Sequence, residues 1–560
     1  MKPAGFHNHL FPTLRGYQRD WFSADLSAGL IVAILIVPQA IAYAFLAGLP
    51  AEMGLYAALL PLFMYALLGT SPTLAVGPVA IVSLMTLEAL SPLATSDIPA
   101  SAYASTLALL VAGFMLLFYL IGLGRWTSFI SHTVISAFTS AAAIVIVMNQ
   151  VKHLTGLSIP REGLFFQPLL SAAEQLQNIN WPALWLGATI LIMLILWPKL
   201  TSGKLSKAGP LLAVIMGLVV YATSGVDIKT VGHIPSGLPS LEIPAVLAEH
   251  WRTLAWDKLL PSASVIALIA YLESLSVGTA MALQTRHRLD ANQELLALSG
   301  ANLVASLSQA YPVAGGFGRS MVNMAAGAKT QLAALITLLL VALVCLFFSS
   351  WFTTLPNTVL GAIIIAAVIP LIKWQDGLHA WHYHKSDGLI WLVTFSAVLA
   401  TNAETGILIG ISLSLLMYLK RTSQPHIAEV GRYQDSDHFR NVDRHDVTTC
   451  PELLLIRVDE NLYFANSQYL EDYIQQRLQS KPKTKHIILI GSAINHIDFN
   501  GYETLLRLLL QLEETGIQLH LAEFKGPVMD QLASSELLMK LNAGKVFFTA
   551  SDALRELCGK

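Results

Sequence analysis

Two charged residues lie inside long apolar stretches of the sequence, and their chemistry sets the first expectations. Glu273 lies in VIALIAYLESLSVG, and Arg319 lies in GGFGRSMVN. A charge near the centre of a bilayer costs about 3 kcal/mol on insertion scales, so such a residue faces a water-filled cavity or another charge. Arginine is a permanent cation that can hold an anion, and glutamate can carry a proton. The pair therefore predicts an ion pathway, with a structural ion pair inside a helix bundle as the alternative.

Two short apolar segments begin at runs rich in glycine and proline. YPVAGGFG leads into the segment at 319–328, and GTSPTLAVGP leads into the segment at 78–90. Such runs expose unpaired N–H groups at a helix start, and these groups together with the helix dipole attract oxyanions. Alternatively, glycine and proline only permit close packing or a kink. We favour the anion site because the pattern occurs at two corresponding places.

Neutral hydrogen-bonding side chains in the first apolar segment add candidates. Gln39 and Tyr43 follow Pro38, which is expected to interrupt the helix, and they are four residues apart and so share one face. An amide and a phenol can bind an anion without holding it too tightly for release. Either residue can instead join neighbouring helices. Ser83 and Ser320 are weaker candidates, since buried hydroxyls commonly bond their own helix.

A histidine cluster in GLHAWHYHKSD is the only arrangement that suggests a metal site. His379, His382 and His384 have no carboxylate nearby except Asp376 and Asp387. We interpret this stretch as a solvated loop and expect no metal.

Other function classes lack the residues they need. Cys345, Cys450 and Cys558 lie far apart with no CxxC motif, so neither a disulfide framework nor a zinc site is expected, and the C-terminal part suits a reducing cytoplasm. No P-loop, Ser/His/Asp arrangement or nucleotide fingerprint is present. The formal net charge of −2 does not indicate nucleic-acid binding. We therefore expect neither an enzyme nor a cofactor.

Charge is distributed very unevenly along the chain. Residues 1–420 hold 19 Lys/Arg and 17 Asp/Glu, whereas residues 421–560 hold 15 and 19. The first part has the composition of a membrane domain and the last quarter that of a soluble domain. We predict an N-terminal cytoplasmic segment at 1–24, a transmembrane domain at 25–421, and a linker with a soluble domain at 422–560, called the tail below.

The transmembrane domain contains fourteen apolar segments. They are 26–47, 52–68, 78–90, 105–124, 128–150, 182–198, 209–224, 262–283, 292–308, 319–328, 330–352, 356–372, 387–401 and 404–420. With the N-terminus inside, 14 Lys and Arg residues near segment ends fall on the cytoplasmic side and five on the other. This asymmetry predicts that both termini are cytoplasmic.

The two short segments are the third and the tenth, which implies two units of seven. An odd number of spans makes the second unit inverted, and inverted repeats with broken segments are typical of secondary transporters. In the tail, strand-like runs at 453–458, 486–494, 517–524 and 545–550 alternate with amphipathic helical runs at 468–479 and 500–515. An α/β domain follows.

Two long blocks of the sequence resemble the sulfate permease (SulP) family of anion transporters. The first, DLSAGLIVAILIVPQAIAYAFLAGLP and its continuation, covers 25–85, and the second, DANQELLALSGANLVASLSQAYPVAGGFGRSMVN and its continuation, covers 290–334. The tail is similar to a STAS domain, which normally ends these proteins. The resemblance implies fourteen spans, a core domain that moves against a gate domain, a homodimer, and an anion held between the third and tenth half-helices.

The resemblance also assigns roles to individual positions. The anion-binding positions are Gln39, Tyr43, Val79, Ala80, Gly318, Arg319 and Ser320. The resemblance also places Glu273 at the site, where its protonatable carboxyl is the candidate proton carrier.

The sequence departs from the family pattern in two places. Gly318 replaces the serine that commonly precedes the arginine, so one hydroxyl is missing. In the tail, Asn500 lies between Asp498 and Gly501 where related domains carry a phosphorylatable Ser or Thr. The tail is then expected to be a structural, dimer-forming or partner-binding unit.

The sequence as a whole predicts a bacterial inner-membrane transporter that takes up sulfate with protons by alternating access. Sodium-coupled bicarbonate transport is the main alternative, and it is disfavoured because Val277, Pro78 and Val79 supply no side-chain oxygen. Dicarboxylate or chloride transport, an anion channel, and a membrane receptor that acts through its STAS domain stay open.

Overall fold

The computed structural model describes residues 10–93, 98–125, 131–157, 159, 165–201, 208–225, 227–244, 255–434, 436–541 and 545–558. The chain divides into two compact units between Ser412 and Leu413. This division and the predicted boundary at 421/422 both fall on one helix, Ala403–Ser423. The predicted segment 1–24 begins outside the described residues.

The first unit is helical. Its helices are α1 Phe22–Leu46, α2 Ala51–Ala57, α3 Leu60–Leu68, α4 Ala80–Leu90, α5 Ala100–Leu120, α6 His132–Thr155, α7 Gln167–Glu174, α8 Trp181–Leu200, α9 Gly209–Ser224, α10 Trp256–Thr285, α11 Ala291–Leu307, α12 Phe317–Ala325, α13 Leu332–Leu343, α14 Asn357–Val368, α15 Trp374–Tyr383, α16 Lys385–Ala400 and α17 Ala403–Ser423.

Each of the fourteen predicted apolar segments overlaps at least one of these helices, and 52–68 overlaps both α2 and α3, so the helical membrane fold is confirmed. Nine helical stretches of the described chain are long and apolar enough to cross a membrane by length and composition. Fourteen crossings stay a prediction. The expectation that Pro38 interrupts the first segment is wrong, because α1 runs through it.

The helices of the first unit form two groups. The core group comprises α1–α5 and α10–α13, in which α11 packs on α3 and α5 and α13 packs on α1. The gate group comprises α6, α8, α9, α14, α16 and the start of α17, in which α14 packs on α6 and α8. The groups meet where α1 contacts α9 and α14 and where α4 contacts α6.

A two-stranded antiparallel sheet lies in the core group, directly before the two short helices. β1 (Val76–Gly77) precedes α4, and β2 (Ala314–Gly315) precedes α12. Val76 pairs with Gly315 and Gly77 with Ala314. The predicted short third and tenth segments are confirmed as helices of 11 and 9 residues. The antiparallel pairing makes the two half-helices start side by side, as an inverted repeat requires.

The second unit is a six-stranded sheet with helices on both faces. Its elements are β3 Ile427–Arg432, β4 Phe439–Asn441, β5 Leu453–Val458, α18 Ser467–Ser480, β6 His486–Ile490, α19 Phe499–Glu514, β7 Gln518–Ala522, α20 Gly526–Ala533, α21 Glu536–Lys540, β8 Val546–Phe547 and α22 Ala550–Cys558. The strand order is β4-β3-β5-β6-β7-β8, with β5 to β8 parallel. The predicted α/β tail is confirmed, while β3 and β4 were not predicted.

The expectation that no cysteines pair is wrong. Cys450 and Cys558 form a disulfide with their Cα atoms 6.5 Å apart, across a sequence separation of 108 residues. Cys450 lies just before β5, and α22, which packs on β6 and β8, ends at Cys558. Parallel strand order brings these distant positions together.

The histidine stretch was interpreted as a loop, and this is wrong for most of it. His379 and His382 lie on α15, and His384 directly follows it. All three are exposed. His382 Nδ1 contacts the carbonyl oxygen of Leu378 at 2.7 Å, and His384 Nδ1 contacts Ser386 Oγ at 2.6 Å.

Candidate anion-binding site

The two half-helices begin without side-chain caps. Val79, in an extended conformation, precedes α4, and Gly316 precedes α12 in the same way. No side chain of the described residues accepts from the first N–H groups of either helix. Both helix starts therefore offer backbone donors and partial positive charge to the space in front of them.

Arg319 lies in the gap between these helix starts. Its side chain is 3% exposed, and Nη1 donates to the carbonyl oxygen of Pro78 at 2.6 Å. Nη2 lies 2.9 Å from the position that a Cβ would take on Gly316 and 3.4 Å from that on Gly77. The glycines therefore make room for the guanidinium.

The remaining donors of Arg319 have no partner among the described residues. Nε and Nη2 are buried and make no hydrogen bond to any described residue. Within the described chain, no carboxylate lies within ion-pair distance of the guanidinium, Glu273 included. The alternative of a direct Glu273–Arg319 ion pair is therefore not what the structure shows. A buried cation with free donors suits a bound anion, because a buried charge is otherwise costly.

Hydrogen bonds between the two halves hold this arrangement in place. Ser320 Oγ accepts from the backbone N of Ala75 at 2.8 Å, and the N of Gly316 donates to the carbonyl oxygen of Ala75 at 3.0 Å. Within the second half, Ser274 Oγ of α10 accepts from the N of Gly315 at 2.7 Å. The Ser320 hydroxyl thus ties β1 to α12, and its role as an anion ligand stays a prediction.

Side chains of α1 extend the site. The Tyr43 hydroxyl is buried and interacts electrostatically with Arg319 and Glu273. The Oε1 atom of Gln39 is buried without a hydrogen-bond partner in the described chain. An amide whose oxygen lacks a partner can turn its NH₂ group toward an anion, so Gln39 stays a candidate ligand.

Tyr311 belongs to the same cluster and was missed from the sequence. It is fully buried, its hydroxyl lies 3.2 Å from Ser83 Oγ, and it interacts electrostatically with Arg319 and Tyr43. This contact joins the first turn of α4 to the chain that leads into β2. The available signal was a polar aromatic residue beside Pro312, directly before the glycine run.

Glu273 borders a cavity of about 120 Å³ between the core and gate groups. The cavity is lined from the core group by Ile81 and Phe317 as well, and from the gate group by Ser136 and Ile407. Glu273 Oε2 is buried and has no hydrogen-bond partner among the described residues. The carboxyl therefore lies between the two helix groups, close to the anion site but not bonded to it.

Gly318 lies at the open side of the site. It is exposed, and a Cβ placed on it would have no heavy atom within 4 Å. The structure therefore contains free space where a serine hydroxyl would lie.

Comparison with known proteins identifies the family. The family model described as the sulfate permease family matches residues 22–394, and the STAS domain model matches residues 444–553. The chain belongs to the sulfate permease family.

Relatives and solved structures extend the match over almost the whole length of this family member. It is 34% identical over 568 residues to the chloroplastic sulfate transporter 4.1 of Arabidopsis thaliana, with 98% of this chain and 82% of the relative covered. It is 32% identical over 550 residues to a probable sulfate transporter of Mycobacterium tuberculosis, with 97% and 96% covered. The protein is therefore an anion transporter and not an enzyme.

Two solved structures share the fold. Murine Slc26a9, described as an anion transporter in the inward-facing state, superposes with a TM-score of 0.89 at 22% identity, covering 99% of this chain and 95% of that one. The transmembrane domain of the cyanobacterial bicarbonate transporter BicA superposes with a TM-score of 0.61 at 23% identity, covering 71% and 98%.

The structure shows why Asp498 and Gly501 occupy the predicted loop of the STAS domain. Asp498 caps α19, because Oδ1 accepts from the N of Gly501 at 2.7 Å and Oδ2 accepts from the N of Phe464 at 2.9 Å. A Cβ on Gly501 would lie 2.9 Å from the carbonyl oxygen of Leu462. Asn500 is exposed beside this cap. The role of the tail as a structural, dimer-forming or partner-binding unit stays a prediction.

Proposed function

We propose that the protein takes up sulfate by secondary active transport coupled to protons. The observation that carries this proposal is Arg319, a buried cation with two unpartnered donor atoms between two uncapped helix starts. A tetrahedral dianion fits this set of donors because its oxygens can accept from the guanidinium and from both helix starts at once. Sulfate is the substrate named for the relatives at 34% and 32% identity.

Glu273 is the group proposed to carry the coupling proton. It lines a cavity between the core and gate groups and makes no direct ion pair with Arg319 in the described chain. An anion bound at Arg319 adds negative charge close to this carboxyl and therefore favours the protonated form. Anion and proton would then bind together and be released together.

Alternating access follows from the division into two helix groups. The site is built by the core group alone, whereas its cavity is completed by the gate group. Rocking of one group against the other exposes the site to each side in turn. We further propose a homodimer in a bacterial inner membrane, with cytoplasmic termini and a STAS domain that supports the dimer or binds a cytoplasmic protein.

Sodium-coupled bicarbonate transport is the second candidate, favoured by one observation. Ser276 lines the same cavity as Glu273, so a hydroxyl and a carboxylate oxygen are available there although Val277 supplies none. Oxygen donors of this kind suit a hard cation such as Na⁺. A dicarboxylate or chloride substrate and an anion channel are the remaining alternatives on this fold.

Uptake of labelled sulfate into proteoliposomes tests the proposal. We expect accumulation that requires an inward proton gradient, and we expect Glu273→Gln to abolish the dependence on that gradient while sulfate exchange continues. Accumulation of bicarbonate with a sodium gradient, and not of sulfate with a proton gradient, would replace the first candidate by the second. Flux that only follows the anion gradient would indicate a channel.

A further inference from the structure

Two carboxylates join the core and gate groups at the ends of α4 and α17. Glu88 of α4 accepts through Oε2 from the backbone N of Ala403 at 3.0 Å. Next to it, Ser262 of α10 donates to Oε2 of Glu404 at 3.1 Å. In both bonds one partner belongs to the core group and the other to α17, so neither bond survives a separation of the two groups.

The Glu88 bond fits the requirements of a helix start. Asn402 caps α17 through Oδ1, which accepts from the N of Thr405 at 2.8 Å, but this leaves the N–H of Ala403 for another acceptor. Ala403 is buried, so water does not serve as that acceptor. A carboxylate is favourable there because the helix dipole is positive at its first turn.

These bonds lie at the end of α4 that is remote from the anion site. The cavity beside Glu273 reaches His132 and Lys373, and both residues are exposed. Glu88 lies near the C-terminal end of α4, whose N-terminal end is at the anion site. In the proposed orientation Lys373 is cytoplasmic, whereas the end of the third segment and the starts of the eighth and fourteenth segments lie on the outer side, with Glu88, Ser262 and Glu404.

We propose that Glu88 and Glu404 are the residues that hold the outer pathway closed while the site faces the cytoplasm. This inference rests on the proposed transport cycle. In the outward-facing state the core group withdraws, and Glu88 and Ala403 exchange their bond for bonds to water.

The electrostatics of the contact allow it to open in every cycle. Neither carboxylate makes an ion pair with any described residue, and the two interact electrostatically with each other. Glu404 Oε1 is buried without a hydrogen-bond partner in the described chain. Without an ion pair, the contact depends on single hydrogen bonds, which are individually weak. The contact is therefore reversible, unlike a buried ion pair.

Sulfate uptake measured from each face of the membrane tests the proposal. Glu88→Ala removes the acceptor for Ala403, whereas Glu88→Gln keeps an oxygen that can accept. A variant that populates the outward-facing state lowers the apparent KM on the outer face and raises it on the inner face. In right-side-out and inside-out vesicles, we expect Glu88→Ala to lower the outer KM at least threefold and to raise the inner KM.

Control variants distinguish this effect from damage to the fold. Glu88→Gln should stay within twofold of the parent on both faces, as should Glu174→Ala, which removes an exposed carboxylate of α7. Ser262→Ala should shift both KM values in the same directions as Glu88→Ala but less. Unchanged KM values, or a shift of both in one direction, would overturn the proposal.

A distance measurement separates failure of the contact from failure of the transport proposal. Spin labels on Gln284 of α10 and Lys385 of α16, both exposed, report the opening on the cytoplasmic side in a full-length background without other cysteines. Glu88→Ala should increase the population with the shorter distance, and this holds whichever anion is transported. An unchanged distance distribution would overturn the role of Glu88 even if sulfate transport were established.

Discussion

Nη1 of Arg319 donates to the carbonyl oxygen of Pro78 over 2.6 Å, so the cation of one half-helix holds the backbone that leads into the other. The bond joins the two halves of the internal repeat, beside the β1–β2 pair. It fixes the guanidinium plane, and Nε and Nη2 stay free for an anion. The arginine therefore positions the backbone that leads into α4, and we propose that it also binds the anion.

This double role predicts that positive charge alone is insufficient. Arg319→Lys keeps the charge, but a single ammonium cannot hold Pro78 and present a planar pair of donors. We expect sulfate uptake to fall at least tenfold, while the size-exclusion profile of the variant matches that of the parent protein. Lys329→Arg, a change at an exposed cation just after α12, is the control and should leave uptake within twofold. Uptake by Arg319→Lys at the parent rate would show that geometry is unimportant.

Two glycines beside Arg319, Gly316 and Gly318, should respond differently to substitution. Gly318→Ser adds a hydroxyl where no heavy atom lies within 4 Å, so folding should be unaffected and the KM for sulfate should change. Gly316→Ala places a Cβ 2.9 Å from Nη2, so it must displace the guanidinium, and uptake should fall at least tenfold. Uptake assays of both variants beside size-exclusion profiles check this. Equal effects of the two changes would contradict the described gap.

The disulfide in the tail should stabilise it. Joining Cys450 to Cys558 closes a loop with a sequence separation of 108 residues, and such a crosslink stabilises a domain by about 2–4 kcal/mol, chiefly by restricting the unfolded chain. Reductant, or the variant Cys450→Ser, should lower the urea concentration at the midpoint of unfolding of the tail. Pulse proteolysis of the full-length protein measures this midpoint. Cys345→Ser should not alter that midpoint. Full alkylation of both tail cysteines in the folded, unreduced protein would refute the pairing.

His520 should make the tail sensitive to acid. Burial, together with the charges of His486 and Lys545, lowers the pKa of His520 from 6.5 to about 4. Its Nδ1 accepts from the N of Lys545 at 3.1 Å, a bond that protonation would remove. Because the unfolded chain takes up this proton first, the stability contribution is complete above about pH 6.5 and is lost as the pH falls toward 4.

The corresponding measurement is the urea midpoint of the tail between pH 7 and pH 4. The contribution of His520 is on the order of 1–3 kcal/mol across this window. His520→Gln keeps an acceptor and does not titrate, so its midpoint should fall less with acid than that of the parent. His438→Gln, at an exposed position, should keep the parent's slope. Identical slopes for all three proteins would exclude His520.

The sequence predicted the parts of the structure that depend on local pattern. Each of the fourteen apolar runs coincides with at least one helix. The glycine- and proline-rich runs located the two half-helices, because a non-helical backbone inside a membrane segment needs such residues. The strand at 453–458 was placed at its observed bounds from a continuous apolar run. Arg319 and Glu273 stood out because charges are rare in such surroundings.

The contacts that depend on long-range packing could not be predicted. The bond of Tyr311 to Ser83 joins residues 228 apart, and the bond of Glu88 to Ala403 joins residues 315 apart. The cysteine pair depends on strand order in the tail, which no local pattern encodes. The predicted helix interruption at Pro38 was wrong because a proline inside a helix is tolerated where neighbouring helices pack around it.

Binding of labelled sulfate to the purified protein tests the central claim most directly, because it needs neither a gradient nor a known orientation. We predict saturable binding by the parent protein and by Lys329→Ala, and none by Arg319→Ala. Equal binding by Arg319→Ala and the parent would contradict an anion site at the two half-helices. Absence of binding by the parent, with bicarbonate binding that Arg319→Ala abolishes, would keep the site and change the substrate.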